Sequence, residues 1–293
     1  MNVNRWLRGA VRALFFVVGI WLMVSAAAFA QSTDQFRAMN QPIAPFHIIG
    51  NIYYVGASDI GIYLIVTPAG DILLDGGFVE TVPQIEANIP KLGFKLTDVK
   101  FILNSHAHID HAGGIPELKR VTGAKFVAMD GDVAGLTAGT SFPAATPDRV
   151  IHDGDTVKLG GTIMTAHLTP GHTRGCTTWT TTVQDGGKSY RVVFVGSATV
   201  LPQYKLIDRP GAPATYPGMQ QDFEKTFRVL RSLPCDVFLA PHGSFYSLTE
   251  KRGVLARNPA QNPFIDPWGY QAYILRAEGV FLKELDAERA TTK

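Results

Sequence analysis

Asn104-Ser105-His106-Ala107-His108-Ile109-Asp110-His111 sets four potential metal ligands within six residues, in the order H-x-H-x-D-H. Histidine occupies only 8 of 293 positions, so three in one such stretch are improbable by chance. Clustered imidazole and carboxylate groups are what borderline divalent metals select. The stretch follows Val99–Leu103, a short apolar run of the kind that forms a buried strand covered on both faces. The cluster therefore falls at the C-terminal edge of a central strand, where sites in layered α/β folds are built. Gly113-Gly114 lets the backbone turn closely behind it.

Two more histidines stand in the same context. His172 lies in Thr169-Pro170-Gly171-His172-Thr173-Arg174-Gly175, after the predicted strand Thr162–Leu168. His242 lies in Pro241-His242-Gly243, after the apolar run Val237–Ala240. His47, His152 and His167 lack that setting. The first two read as surface residues and His167 as a core or supporting histidine within a strand. Six ligands suit two zinc ions with open coordination positions, which marks catalytic rather than structural use. His106, His108 and His172 can make one site, and Asp110, His111 and His242 the second. Water bridging two such ions is hydroxide at neutral pH and can attack an acyl carbon. No nucleophile elbow, P-loop or dinucleotide fingerprint competes.

Outward from these edges the chain reads as strands and helices in two halves, with a boundary near residue 150. Ile48–Val55 reads as one strand, and Ile62–Thr67 and Ile72–Leu74 as a hairpin around Pro68-Ala69-Gly70-Asp71. Val82, Ile85, Ile89 and Leu92 recur at helical spacing and stop at Gly93. Residues 130–149 suggest a short helix and a loop over the site. Asp185-Gly186-Gly187 turns a second hairpin, and residues 223–233 and 268–287 read as helices. The economical arrangement is α/β (α+β): a four-layer αββα sandwich of two mixed sheets flanked by helices.

The N-terminus reads differently. Arg5, Arg8 and Arg12 precede an apolar run that ends in Ala28-Phe29-Ala30, a secretory signal peptide cleaved after Ala30. An uncleaved anchor is the alternative, since the run is near the shorter limit for a span. Residues 31–293 then form one domain, opening with an irregular arm over 31–45. The full chain has 27 Lys+Arg against 25 Asp+Glu, and the leader takes three arginines and no acid. The remainder is close to neutral and has no basic stretch, so nucleic-acid binding has no electrostatic support. Cys176 and Cys235 are either one disulfide or two buried thiols.

Taken together, Leu74-Asp75-Gly76-Gly77, the H-x-H-x-D-H cluster, Gly171-His172-Thr173-Arg174-Gly175, Gly196-Ser197 and Pro241-His242 resemble the metallo-β-lactamase superfamily over essentially the whole mature chain. Thioesterases and lactonases of that fold usually carry a metal-bridging Asp where this chain has Ser197, and the first β-lactamase subclass carries a Cys. Ser197, with His111 in the cluster, resembles the third (B-three) subclass. The resemblance implies two zinc ions, one on His106, His108 and His172 and one on Asp110, His111 and His242, with a bridging hydroxide attacking the lactam carbonyl. It implies catalytic roles for Asp110 and Tyr204, and substrate contacts from Ser197, Thr199 and Tyr204. Asp75 and Ser105 are candidates to orient the ligands from behind. The subclass often has Ser in place of Thr199 and Gly in place of Gln203. The expectation is a monomeric periplasmic enzyme that hydrolyses penicillins, cephalosporins and carbapenems and confers antibiotic resistance. It takes a small-molecule β-lactam, no nucleic acid, and no membrane once the leader is cut. A secreted lactonase or thioesterase is the first alternative, and a non-catalytic zinc-binding protein the second.

Overall fold

The computed structural model describes residues 34–209 and 211–291. The predicted signal peptide lies outside the described residues. The chain divides into a unit of residues 1–41 and a unit of residues 42–293. In the first, residues 34–39 are helical. Pro42 and Pro45, expected to leave this arm irregular, lie beyond that turn and interrupt nothing in it.

The second unit holds two sheets. The first comprises β1 (Phe46–Ile49), β2 (Ile52–Tyr54), β3 (Tyr63–Thr67), β4 (Gly70–Leu74), β5 (Val99–Leu103), β6 (Lys125–Met129) and β7 (Arg149–Ile151), in that spatial order. β1 to β4 pair antiparallel and β4 to β7 parallel. The second comprises β8 (Thr156–Leu159), β9 (Thr162–Leu168), β10 (Thr177–Asp185), β11 (Lys188–Phe194) and β12 (Val237–Leu239). Its order is β12-β11-β10-β9-β8, with β11 and β12 parallel and the rest antiparallel. Both sheets are mixed.

The two sheets face each other across the core. Tyr63 of β3 meets Phe194 of β11 edge to face, ring centroids 5.1 Å apart, and both are buried. Trp179, fully buried on β10, donates its indole N–H to Asn104 O at 3.0 Å. Each such side chain contributes about 1.5–3 kcal/mol by burial. Helices cover the outer faces. On the first sheet, α1 (Val82–Lys91) buries Ile85 and Ile89. After β5 come the single turn α2 (Ile109–Ala112) and α3 (Ile115–Thr122), which buries Ile115 and Leu118, and then the short α4 (Val133–Thr137). The second half carries α5 (Met219–Ser232), α6 (Leu248–Arg257) and α7 (Pro267–Ala290). Phe223 of α5 stacks on Phe281 of α7 at 5.4 Å, and Tyr270 of α7 packs on Phe238 of β12 at 5.5 Å. Among the described residues no helix is long and apolar enough to cross a membrane.

Three elements depart from the sequence reading. Ile48–Val55 is two strands, because Gly50 adopts a left-handed φ of 54° and turns the chain back so that Ile49 faces Ile52. β7 is too short to show an alternation. α6 was not visible because Leu248 and Lys251 are its only buried residues, too few for an apolar stripe.

Candidate metal centre

The parallel register places Leu74 beside Leu103, so Asp75 and Asn104 leave the first sheet side by side. Asp75 holds a left-handed φ of 68°, which a non-glycine residue adopts only when its surroundings enforce it. Here they do. Asp75 Oδ1 accepts from Ser105 N at 2.6 Å and Asn104 Nδ2 at 3.2 Å, and Oδ2 accepts from the Ser105 hydroxyl at 2.7 Å. With its proton given to Asp75, Ser105 Oγ accepts from His106 Nδ1 at 3.0 Å. That fixes the His106 tautomer and leaves Nε2 bare. His108 precedes the turn of α2, which projects Asp110 and His111 from successive positions.

The second sheet supplies the remaining ligands. His172 follows β9 on a loop that turns at Gly171, whose φ is +127°. A Cβ there would meet the Phe223 ring at 2.7 Å. His172 Nδ1 donates to Thr199 O at 2.7 Å. His242 follows β12, and its Nδ1 lies 3.3 Å from Asp59 Oδ2.

Two triads result: His106, His108 and His172, and Asp110, His111 and His242, each with its ligand atoms within 4.8 Å of one another. The His106 and His111 rings, one from each triad, are 4.3 Å apart. These six are the residues the sequence singles out as ligands, brought together from both sheets. Asp75 and Ser105 stand behind them. His47 and His152 are exposed, and His167 is half-buried on Thr180 at 2.8 Å; none joins a triad.

The donor set fits a divalent metal. His106 Nε2 is buried with no hydrogen-bond partner, an arrangement that costs free energy unless a cation accepts the lone pair. In the other triad His111 Nε2 lies 3.3 Å from His242 Nε2 and 3.2 Å from Asp110 Oδ2, so three ligand atoms close on one point. Three nitrogens in one group and two nitrogens with one carboxylate in the other are a borderline-metal set with room for further ligands. Without metal the triads differ in charge. Burial pushes His108 down to about 4 and His172 to about 3, with neighbouring histidines adding to the effect. Burial also disfavours charge on His111, but Asp110 and Asp75 outweigh it and lift the group to about 10. Asp110 is held well below the usual carboxylate range, because His111 and His242 overcome its burial.

Two supporting carboxylates carry no signal in the sequence. Asp59 receives Ser244 N at 2.6 Å as well as His242. Asp132 is buried between the two ligand loops. It accepts from Ala107 N at 2.9 Å, Thr173 Oγ1 at 2.8 Å and Gly175 N at 2.7 Å, pinning the segment of His106 and His108 to the loop of His172. Burial lifts its carboxyl to about 6 against those three bonds.

Of the predicted substrate contacts, Thr199 is half-buried beside the centre. Ser197 is buried, and its Oγ accepts from Thr199 N at 3.3 Å. Tyr204 donates its hydroxyl to His172 O at 2.6 Å and lies 3.5 Å from His108 Nε2. Burial raises its pKa, so it stays protonated. Cys176 and Cys235 are separate buried thiols. A cavity of about 470 Å³ beside Thr165, His167 and Arg191 touches none of the six ligands.

The sequence pattern of the metallo-beta-lactamase superfamily matches residues 56–242. Among solved structures, the native FEZ-1 metallo-beta-lactamase of Legionella gormanii is 45% identical, with a TM-score of 0.82. The match covers 86% of this chain and 98% of that one. BJP-1 of Bradyrhizobium japonicum, a subclass B3 metallo-beta-lactamase, is 40% identical with a TM-score of 0.81, covering 87% of this chain and 98% of its own. Among curated sequences, the hydroxyacylglutathione hydrolase of Methylobacterium nodulans is 39% identical over 94 residues, 31% of this chain and 32% of that protein. The chain spans about half the length, or less, of the curated relatives it matches.

Proposed function

Since this chain belongs to the metallo-beta-lactamase superfamily of metal-dependent hydrolases, we propose that it is an exported di-zinc β-lactamase of the B3 type. The observation that carries this reading is the ligand set. It has a histidine at 111, and its one carboxylate is Asp110. Where a thioesterase of this fold usually places a metal-bridging Asp, Ser197 stands buried with its hydroxyl turned to the backbone. The structural likeness to FEZ-1 and BJP-1 over nearly the whole of each supports the same reading.

His106, His108 and His172 would hold one zinc ion and Asp110, His111 and His242 the other. Such a pair supplies Lewis acidity and brings the pKa of water into the neutral range. The chain does the rest. Asp75 and Ser105 fix His106 with Nε2 free, and Thr199 O and Asp59 orient His172 and His242. Asp110 stays ionised and keeps a negative oxygen at the centre. Tyr204 keeps its proton and can turn it from His172 O toward charge developing on a substrate carbonyl oxygen. Thr199 faces the approach to the triads and can bond a substrate carboxylate.

The thioesterase reading is favoured by the curated relatives, which include hydroxyacylglutathione hydrolases. Assay of the zinc-loaded mature chain against a penicillin, a cephalosporin, a carbapenem and S-lactoylglutathione separates the two. Chelator-sensitive turnover of the β-lactams is expected, and turnover of the thioester alone would overturn the proposal.

A further inference from the structure

A groove of about 320 Å³ opens beside the two triads, between the end of β11 and α7. Its inner wall is Thr199, Val200 and Phe245, and its outer wall is α7. Tyr273, Arg276, Ala277 and Val280 recur there at i, i+3, i+4 and i+7, one stripe of that helix. The groove adjoins both triads directly. Thr199 O accepts from His172 Nδ1 at 2.7 Å, and the Phe245 ring lies 5.1 Å from the ring of His242. Its floor is fixed, since Ala198 N donates to the Tyr273 hydroxyl at 3.0 Å and Tyr273 packs on Phe245 at 5.3 Å.

The lining is apolar but for the hydroxyls of Thr199, Ser244 and Tyr273 and one charge, Arg276. No carboxylate lines it. Arg276 is exposed, and among the described residues it forms no hydrogen bond or ion pair. A guanidinium offers a planar fork of donors suited to a carboxylate or sulfonate. Here the fork lines an apolar groove whose residues Thr199 and Phe245 touch His172 and His242. Volume, walls and charge together describe a ligand arm that is ring-sized, mostly apolar and tipped by an anion.

We propose that this groove is a specificity subsite that receives an anion-tipped side arm of the substrate, with Arg276 pairing its charge and Ala277 and Val280 walling its apolar stem. That the arm belongs to a β-lactam rests on the function proposed above. That the groove binds such a group does not.

The test uses 4-phenylbutyrate and its uncharged amide as probes of the zinc-loaded protein, followed through the methyl resonances of Ala198, Ala277 and Val280. The acid should shift these resonances saturably and bind about threefold tighter than the amide, as an exposed charge pair allows. Arg276→Gln should remove that preference, and Ala277→Trp should abolish the shifts by filling the channel. Equal binding of acid and amide, or a preference that survives Arg276→Gln, overturns the subsite; the latter would place the carboxylate on the metals instead. A matched pair of cephalosporins, one with a carboxylate-tipped arm and one with the carboxamide, then tests the arm itself. Arg276→Gln should raise the ratio of their KM values about threefold. An unchanged ratio in an enzyme that turns over both overturns the assignment to substrate. Turnover of neither, with probe binding intact, overturns the β-lactam identity of the arm and leaves the groove as an anion-tipped ligand site.

Discussion

The two triads lie side by side yet are backed by opposite chemistry. Behind His106 and His172 stand a hydroxyl and a backbone carbonyl, those of Ser105 and Thr199, and the three histidines of this triad are neutral. Behind His111 and His242 stand the carboxylates Asp75 and Asp59, and a third, Asp110, is itself a ligand. A centre backed by neutral groups binds a metal through lone pairs that are already free. One backed by carboxylates attracts the cation more strongly but must first release the proton those carboxylates hold on His111. On the proposed reading, with a metal in each triad, the two affinities should be separately tunable and separately breakable.

The hardest way to break the comparison is to remove a ligand. His242→Ala should weaken the second metal at least about a hundredfold, beyond the loss typical of a supporting residue, and leave the first largely intact. Calorimetric zinc titration checks it, and parallel loss of both metals would show that the triads are not independent. Next comes the carboxylate behind that ligand. Asp59→Asn should cost the second metal about ten- to a hundredfold, whereas Ser105→Ala, which removes a neutral support, should fall below that range at the first. The same titration on the two variants decides it.

Acidity sharpens the contrast without mutation. With His111 lifted to about 10, the metal-free protein carries that proton at pH 7. Binding the second metal should then release about one proton, and its affinity should rise roughly tenfold per pH unit toward pH 10. His108 and His172, at about 4 and 3, are already unprotonated, so the first metal should release none and bind with little pH dependence above about pH 5. Zinc titrations in two buffers of different ionisation enthalpy count the protons. The smallest effect is expected at Tyr204, whose hydroxyl is already spent on His172 O. Tyr204→Phe should lower kcat about tenfold or less, short of a dedicated oxyanion donor, with both metals retained in a single-turnover assay of the zinc-loaded variant.

The ligands were legible in the sequence because each follows an apolar strand, and strand ends converge where two sheets meet. His106, Asp110 and His111 declare themselves by crowding, and His172 and His242 by the glycines beside them. Their partition into two triads was read from the sequence as well, and the register of β4 on β5 and the facing of the two sheets bring the same two groups together. Asp59 and Asp132 stayed hidden because nothing local marks them. Asp59 meets His242 across 183 residues, and Asp132 meets Gly175 across 43. Such contacts exist only once the fold has formed. The turn at Gly50-Asn51 did carry a local signal, a hairpin dipeptide between two β-rich runs, which the reading of Ile48–Val55 as one strand passed over. The groove on α7 was also beyond reach, since its walls come from three separate segments, residues 198–200, 244–245 and 273–280.

The most direct test of the account is a zinc titration of the metal-free mature chain during turnover of a carbapenem, with S-lactoylglutathione in parallel. The account predicts β-lactam hydrolysis that appears as zinc fills the triads, disappears with a chelator, and far exceeds thioester turnover. Two bound zinc ions with thioester hydrolysis and no β-lactam hydrolysis would contradict it.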